Sequence, residues 1–213
     1  AFIIPALILL FVLGLFFLVA PPLADQILNR VVARHPPPIS EAAKQLHRKL
    51  LVADLHADCL LWNRDLLERH ARGHVDVPRL IEGNVALQSF TVVTKMPLIP
   101  SLERNDDDTD SITLLALAQR WPVATWRSLK ERALYQANKL HKLAARSGGK
   151  LTVIKSASDL ATYLERRWQG EEITAGFLGI EGAHALDGDL ANLGVLFDAG
   201  FRRLFADGLA NSG

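Results

Sequence analysis

LLVADLHAD, residues 50–58, decides how the chain is read: an apolar, strand-forming run that closes with Asp54, His56 and Asp58 at alternate positions. Alternate side chains of a strand share a face, and a rise of about 3.3 Å per residue sets His56 and Asp58 close enough to share one ion. Imidazole with carboxylate suits zinc or a similar divalent cation. Outward from this first buried strand, apolar runs at 85–93, 151–154 and 175–180 predict further strands. Residues 111–120, 126–146, 156–168 and 189–199 predict helices, with Gly148-Gly149 and Gly200 as stops. Strands separated by helices require a parallel sheet with crossover connections, and so an α/β fold. In barrels of this class the C-terminal strand ends carry the functional groups.

GIEGAH, residues 179–184, closes another apolar strand and puts Glu181 at the same kind of position as His56 and Asp58. A buried carboxylate without a partner is costly, so Glu181 there calls for a cation, and its two oxygens are able to bridge two ions that activate one water. The plainer reading is a glutamate on a solvated loop between glycines. A bare His-x-Asp also arises often by chance, so the two segments count mainly in combination. The phosphate-loop pattern of glycines and lysine is absent.

The chain has 213 residues, 49% of them hydrophobic and 22% charged, with a formal net charge of +1, which predicts one main folded domain and gives no pull towards nucleic acid. The single cysteine, Cys59, makes no internal disulfide; it faces away from Asp58 and reads as a packed thiol. Residues 1–24 carry no charge and are long enough to cross a hydrocarbon core of about 30 Å, which predicts a transmembrane helix and contact with membrane lipid. A cleaved signal peptide is the rival, weakened by the length of the apolar run and by Pro21-Pro22 directly after it. Residues 25–34 extend a short helix that His35-Pro36-Pro37-Pro38 ends, so 25–39 is read as a linker. Ser40, Glu41 and the apolar positions Ala42, Ala43, Leu46 and Leu50 predict a helix leading into the globular part, 40–213. Residues 103–110 read as a solvated loop, His35, His47, His70 and His141 as solvated, and Trp121, Trp126 and Trp168 as apolar packing at helix ends.

Three segments, VADLHADCLLW (52–62), HVDVPRLIEGNVALQSFTVV (74–93) and GIEGAHALDGDLANLGVLFDAGFRRL (179–204), resemble the membrane dipeptidase family, the renal dipeptidase-like zinc peptidases. The resemblance implies a (β/α)8 TIM-type barrel with a binuclear zinc centre that cleaves dipeptides or similar small amides. It makes His56 and Asp58 ligands of the first zinc and Glu181 the bridging carboxylate. His184 matches a family histidine near the site, catalytic or structural, and no catalytic residue is assigned. Asp54, Asp76 and Arg79 orient loops and ligands.

A whole barrel of this type needs about 250 residues, so roughly its first half is expected here. The resemblance implies two further histidines for the second zinc and later substrate-binding groups, none assignable in this sequence. Relatives carry a threonine-histidine pair where Leu204 runs directly into residues 205–213. At most one zinc is expected to be well held, with little or no dipeptidase activity from the chain as given. An open half-barrel also exposes unpaired edges, so association with another chain is possible. The resemblance to a signal-anchored form places the globular part on the periplasmic or extracytoplasmic side. The alternatives are a non-catalytic membrane-tethered remnant and another barrel amidohydrolase; His-x-Asp rather than His-x-His argues against the latter.

Overall fold

The computed structural model describes residues 3–32, 37–98 and 109–205. In chain order its elements are α1 (Ile3–Leu28), α2 (Glu41–Lys49), β1 (Val52–Ala57), α3 (Val77–Glu82), β2 (Val85–Val93), α4 (Ser111–Ala118), α5 (Leu129–Arg146), β3 (Leu151–Val153), α6 (Ala157–Trp168), β4 (Thr174–Glu181), α7 (Asn192–Asp198) and β5 (Phe201–Phe205). Every strand pairing is parallel. β2 runs between β1 and β4, and the far edge of β4 is shared: β3 pairs its first residues, Thr174 to Gly176, and β5 its last, Leu178 to Glu181. The fold is therefore α/β with a parallel sheet, as the alternation of runs predicts.

The sheet is centred on β2 and β4, whose side chains are buried on both faces. Phe90 and Val92 of β2 and Leu178 and Ile180 of β4 share a core with Ala133, Ala137, Leu140 and Leu143 of α5. These positions recur at helical spacing, so α5 lays one apolar stripe on the sheet while its other face meets water. Its start is fixed twice over. Ser128 caps it by accepting from the Glu131 amide at 3.1 Å, and Asp187, from the loop after β4, accepts from the Ser128 hydroxyl at 2.7 Å and from the Leu129 and Lys130 amides. Ser40 caps α2 as expected, accepting from the Ala43 amide.

Departures from the sequence reading have local causes. β1 is not buried as expected: with β2 its sole neighbour among the described strands, residues 53–56 are exposed. α5 starts at Leu129 rather than 126, because Val123–Trp126 forms a separate 3-10 turn. α1 continues through Pro21 and Pro22 to Leu28. The two prolines donate no amide hydrogen, so the helix loses two hydrogen bonds there without breaking. Trp121 is buried, whereas Trp168 is 69% exposed and is not packed at its helix end. Residues 103–108 and 206–213 lie outside the described residues, as does His35. Asp110 is not merely part of a solvated loop: it caps α4 by accepting from the Ile112 amide at 3.0 Å.

Gly176 of β4 lies against the ring of Phe90, and a Cβ there would come within 2.3 Å of it. Phe90 is 1% exposed and has little room to turn away. Gly176→Ala is expected to destabilise the domain by about 1–3 kcal/mol through overpacking. Thermal unfolding of the variant in detergent beside the parent chain measures this, and an unchanged melting temperature would refute the close packing of β2 on β4.

Candidate metal centre

β1 and β4 end at the same edge of the sheet, one on either side of β2, and each delivers polar groups there. The backbone turns after Ala57 into a short 3-10 turn, Cys59–Leu61, with Asp58 at its head. Two interactions fix this corner. The His56 amide donates to Asp54 Oδ1 at 3.0 Å, so Asp54 orients the backbone that carries His56. From α5, Lys139 Nζ donates to the carbonyls of Leu60 at 2.6 Å and Trp62 at 2.7 Å, pinning the turn to the helix layer. Burial pushes the Lys139 ammonium down to about 8.

Glu181 is the last residue of β4, aligned with Val93 of β2. The structure brings it to His56 and Asp58: ligand atoms from all three lie within 4.8 Å of one another. His56 Nε2 is 3.2 Å from Asp58 Oδ2 and 3.8 Å from Glu181 Oε2, so one imidazole nitrogen faces two carboxylates. The side chains of His56 and Glu181 are each 46% exposed and that of Asp58 33%. Full burial therefore does not force a cation on Glu181, as the sequence reading supposed. The cause lies in what surrounds it. Partial burial and the neighbouring Asp58 carboxylate raise the Glu181 carboxyl above its ordinary value of 4.5, against the opposing pull of His56. A cation between the two carboxylates would relieve that repulsion.

Asp58 has a further partner that the sequence reading missed. The Thr91 hydroxyl, on the middle strand β2, donates to Asp58 Oδ1 and leaves Oδ2 turned to His56. Thr91 belongs to a set of polar side chains, Gln88, Ser89, Thr91 and Thr94, that are fully buried in or just beyond an otherwise apolar strand. Hydroxyls and an amide in a strand buried on both faces were the available signal, since such groups need an internal partner.

The other expected positions fall outside the cluster. His184 opens the 3-10 turn after β4, with its ring against Gly182, where a Cβ would meet Nδ1 at 2.9 Å. Asp76 is 1% exposed; it caps α3 through the Arg79 amide at 2.9 Å and pairs with the Arg79 guanidinium at 2.8 Å. Arg79 also donates to the carbonyls of His70 and Gly73, so the pair shapes the loop before α3. Cys59 is buried, and burial pushes its thiol up to about 12, which removes it as a thiolate ligand or nucleophile near neutral pH. His70 and His141, expected to be solvated, are instead partly buried and hydrogen-bonded to the carbonyls of Asp65 and Ala199, whereas His47 is exposed as expected and also meets the Gly83 carbonyl.

A family model for membrane dipeptidases, peptidase family M19, matches residues 40–208. The chain belongs to the membrane dipeptidase family. By that membership it resembles a metallopeptidase, and the donor set at the ends of β1 and β4 is of the kind a metal-dependent hydrolase uses. Two solved structures match the chain. One is dipeptidase AC, a metallopeptidase of family M19, at 24% identity and a TM-score of 0.49 over 74% of this chain and 42% of that one. The other is a metallopeptidase from Rhodobacter sphaeroides liganded with a phosphinate mimic of the dipeptide L-Ala-D-Ala, at 22% identity and a TM-score of 0.50 over 74% of this chain and 45% of that one. The chain thus spans less than half the length of either of these two proteins. No curated protein matches it.

Proposed function

We propose that His56, Asp58 and Glu181 hold a divalent cation, zinc, and that the chain is part of a zinc-dependent hydrolase of dipeptides or similar small amides. The observation that carries this is the convergence of the three donor groups within 4.8 Å at the C-terminal ends of β1 and β4. Ligands about 2.0–2.2 Å from a shared zinc sit roughly 3–3.5 Å from one another, so a small inward movement of Glu181 completes the set. β1, β2, β4 and β5 are then the first four strands of a (β/α)8 barrel, with the short β3 as an addition at its edge. We read residues 1–24 as the anchor, 25–39 as its connection and 40–213 as the barrel portion, on the extracytoplasmic side of the membrane.

When bound, the ion supplies Lewis-acid polarisation of an amide carbonyl and a more acidic water. The chain's own residues do the rest of what is visible. Thr91 holds one oxygen of Asp58, which leaves the other free to bind, and Asp54 fixes the backbone of His56. Glu181 presents two carboxylate oxygens at an open, half-exposed mouth, where a dipeptide has access. A second ion needs donors beyond the single cluster found among the described residues, so this chain is expected to hold one zinc firmly and to turn over dipeptide slowly or not at all.

The test is equilibrium dialysis of the purified full chain against zinc, with dipeptide hydrolysis followed in the same samples. About one zinc per chain is expected, with loss of binding in Asp58→Ala. Equal retention by parent and variant would exclude the proposed site, and rapid hydrolysis at one bound zinc would show that a single ion suffices. Thr91→Val removes the hydroxyl that orients Asp58 and keeps the side-chain shape. Its zinc affinity is expected to fall roughly 10–100-fold with the fold retained. Unchanged affinity would mean that Asp58 needs no such support.

A further inference from the structure

The end of α1 carries a polar clasp that the metal reading does not use. Asp25, in the last two turns of α1, is 7% exposed although it follows an uncharged apolar run. Its Oδ2 lies 3.1 Å from Arg72 Nε, and its Oδ1 lies 3.6 Å from Arg64 Nε and accepts from Asn29 Nδ2 at 2.8 Å. The Gly73 amide donates to the Asn29 carbonyl at 2.8 Å, and Arg72 reaches the Pro22 carbonyl at 3.4 Å. Ala24 packs on the cluster of Leu61, Trp62, Ile112, Ala116 and Trp121. Higher up the helix, the Arg120 guanidinium lies 5.8 Å from the centre of the Phe17 ring.

All of these partners lie on segments that leave the C-terminal ends of β1 and β2: residues 59–73 follow β1, and α4 with residues 119–121 follows β2. His56, Asp58 and Glu181 stand at those same strand ends. The helix therefore docks on the site-bearing end of the domain, and its apolar length projects from there. Burying Asp25 between two arginines is costly unless the geometry is held, which argues for a fixed junction and not a loose tether. The guanidinium beside Phe17 sets where hydrocarbon can stop, because an arginine so placed reaches for headgroup phosphate. About three turns of helix, from Leu18 to Leu28, are then left as a docked stalk outside the hydrocarbon.

We propose that this junction seats the site-bearing end of the domain against the bilayer, so that the candidate metal centre opens beside the lipid surface. The proposal rests on α1 being an anchor, and the experiment separates the two. Two variants of the full chain, each with one added cysteine, mark the two ends. Val123→Cys is exposed next to α4 at the site-bearing end, and Trp168→Cys is exposed at the far end of α6, where β4 begins. Each is labelled with a fluorophore, the buried Cys59 serving as the unlabelled background, and placed in phosphatidylcholine–phosphatidylglycerol nanodiscs containing a headgroup-level lipid quencher. Co-sedimentation with vesicles of the same lipids is measured alongside.

Quenching at Val123→Cys and its absence at Trp168→Cys is the expected result, with the difference lost when Asp25→Asn is added. Sedimentation without a difference between the labels, or with stronger quenching at Trp168→Cys, overturns the seating while leaving the anchor intact. A chain that stays out of the lipid pellet overturns the anchor and the seating together. Because the parent-background comparison does not depend on Asp25→Asn, a folding defect in that variant leaves the test decisive.

Discussion

Zinc is expected to raise the melting temperature of the full chain by about 5–10 °C at a concentration near one hundred times its dissociation constant, and Glu181→Ala is expected to abolish the rise. A ligand that binds the folded state alone stabilises it by about 2.7 kcal/mol at that concentration. Removing Glu181 leaves His56 and Asp58, too few donors for firm binding, and the affinity should fall by at least about 100-fold. The pH dependence has a definite sign. Without metal the Glu181 carboxyl is raised above 4.5 by partial burial and by Asp58, so the stability it contributes is present below 4.5 and is lost as pH rises through the raised value. Zinc needs the ionised carboxylate, so its stabilisation grows over the same rise in pH. Differential scanning fluorimetry across that range, with zinc and with a chelator, reads both trends. An equal zinc shift in parent and Glu181→Ala would contradict the site.

Arg132→Met is expected to cost about 3–5 kcal/mol, the largest effect of any single substitution considered. Arg132 is 1% exposed on α5 and joins the end of β2, the start of α4 and the 3-10 turn before α5. It donates to the Thr94 carbonyl at 2.7 Å, to the Thr125 carbonyl at 2.6 Å and to Asp110 Oδ2 at 2.5 Å, and it also reaches the Thr113 hydroxyl and the Trp126 carbonyl. Methionine fills part of the volume but leaves the Asp110 carboxylate and several carbonyls without their donor. A fall in melting temperature of roughly 6–20 °C should follow. Burial raises the Asp110 carboxyl, but the bonds from Arg132 and Thr113 outweigh it and hold the group below 3.8. Its contribution is therefore present above 3.8 and lost as pH falls through the lowered value, and Arg132→Met should remove that acid-side loss. A variant as stable as the parent, with the same acid profile, would show that the network is incidental.

Much of the sheet was legible because four of its five strands are apolar runs bounded by turn residues. β5 escaped because Arg202 and Arg203 interrupt Phe201–Phe205, and α3 because six residues opened by a valine and a proline give little periodicity. The three proposed ligands were legible from alternation and strand-end placement, and the structure brings them together. Their support was less so. Thr91 meets Asp58 only because β2 pairs with β1, a long-range fact that no local pattern carries. Asp25 is a similar case: in sequence it marks the point where charge resumes after an apolar run, whereas in the fold it is buried between arginines from a later loop. His70 and His141 looked solvated because a backbone carbonyl acceptor leaves no trace in composition.

The most direct test is diffraction from crystals of the full chain grown with zinc, recorded at the zinc absorption edge. One anomalous peak is expected, about 2.0–2.2 Å from a nitrogen of His56 and from carboxylate oxygens of Asp58 and Glu181. No peak at that position, or zinc bound there without Glu181, would contradict the account.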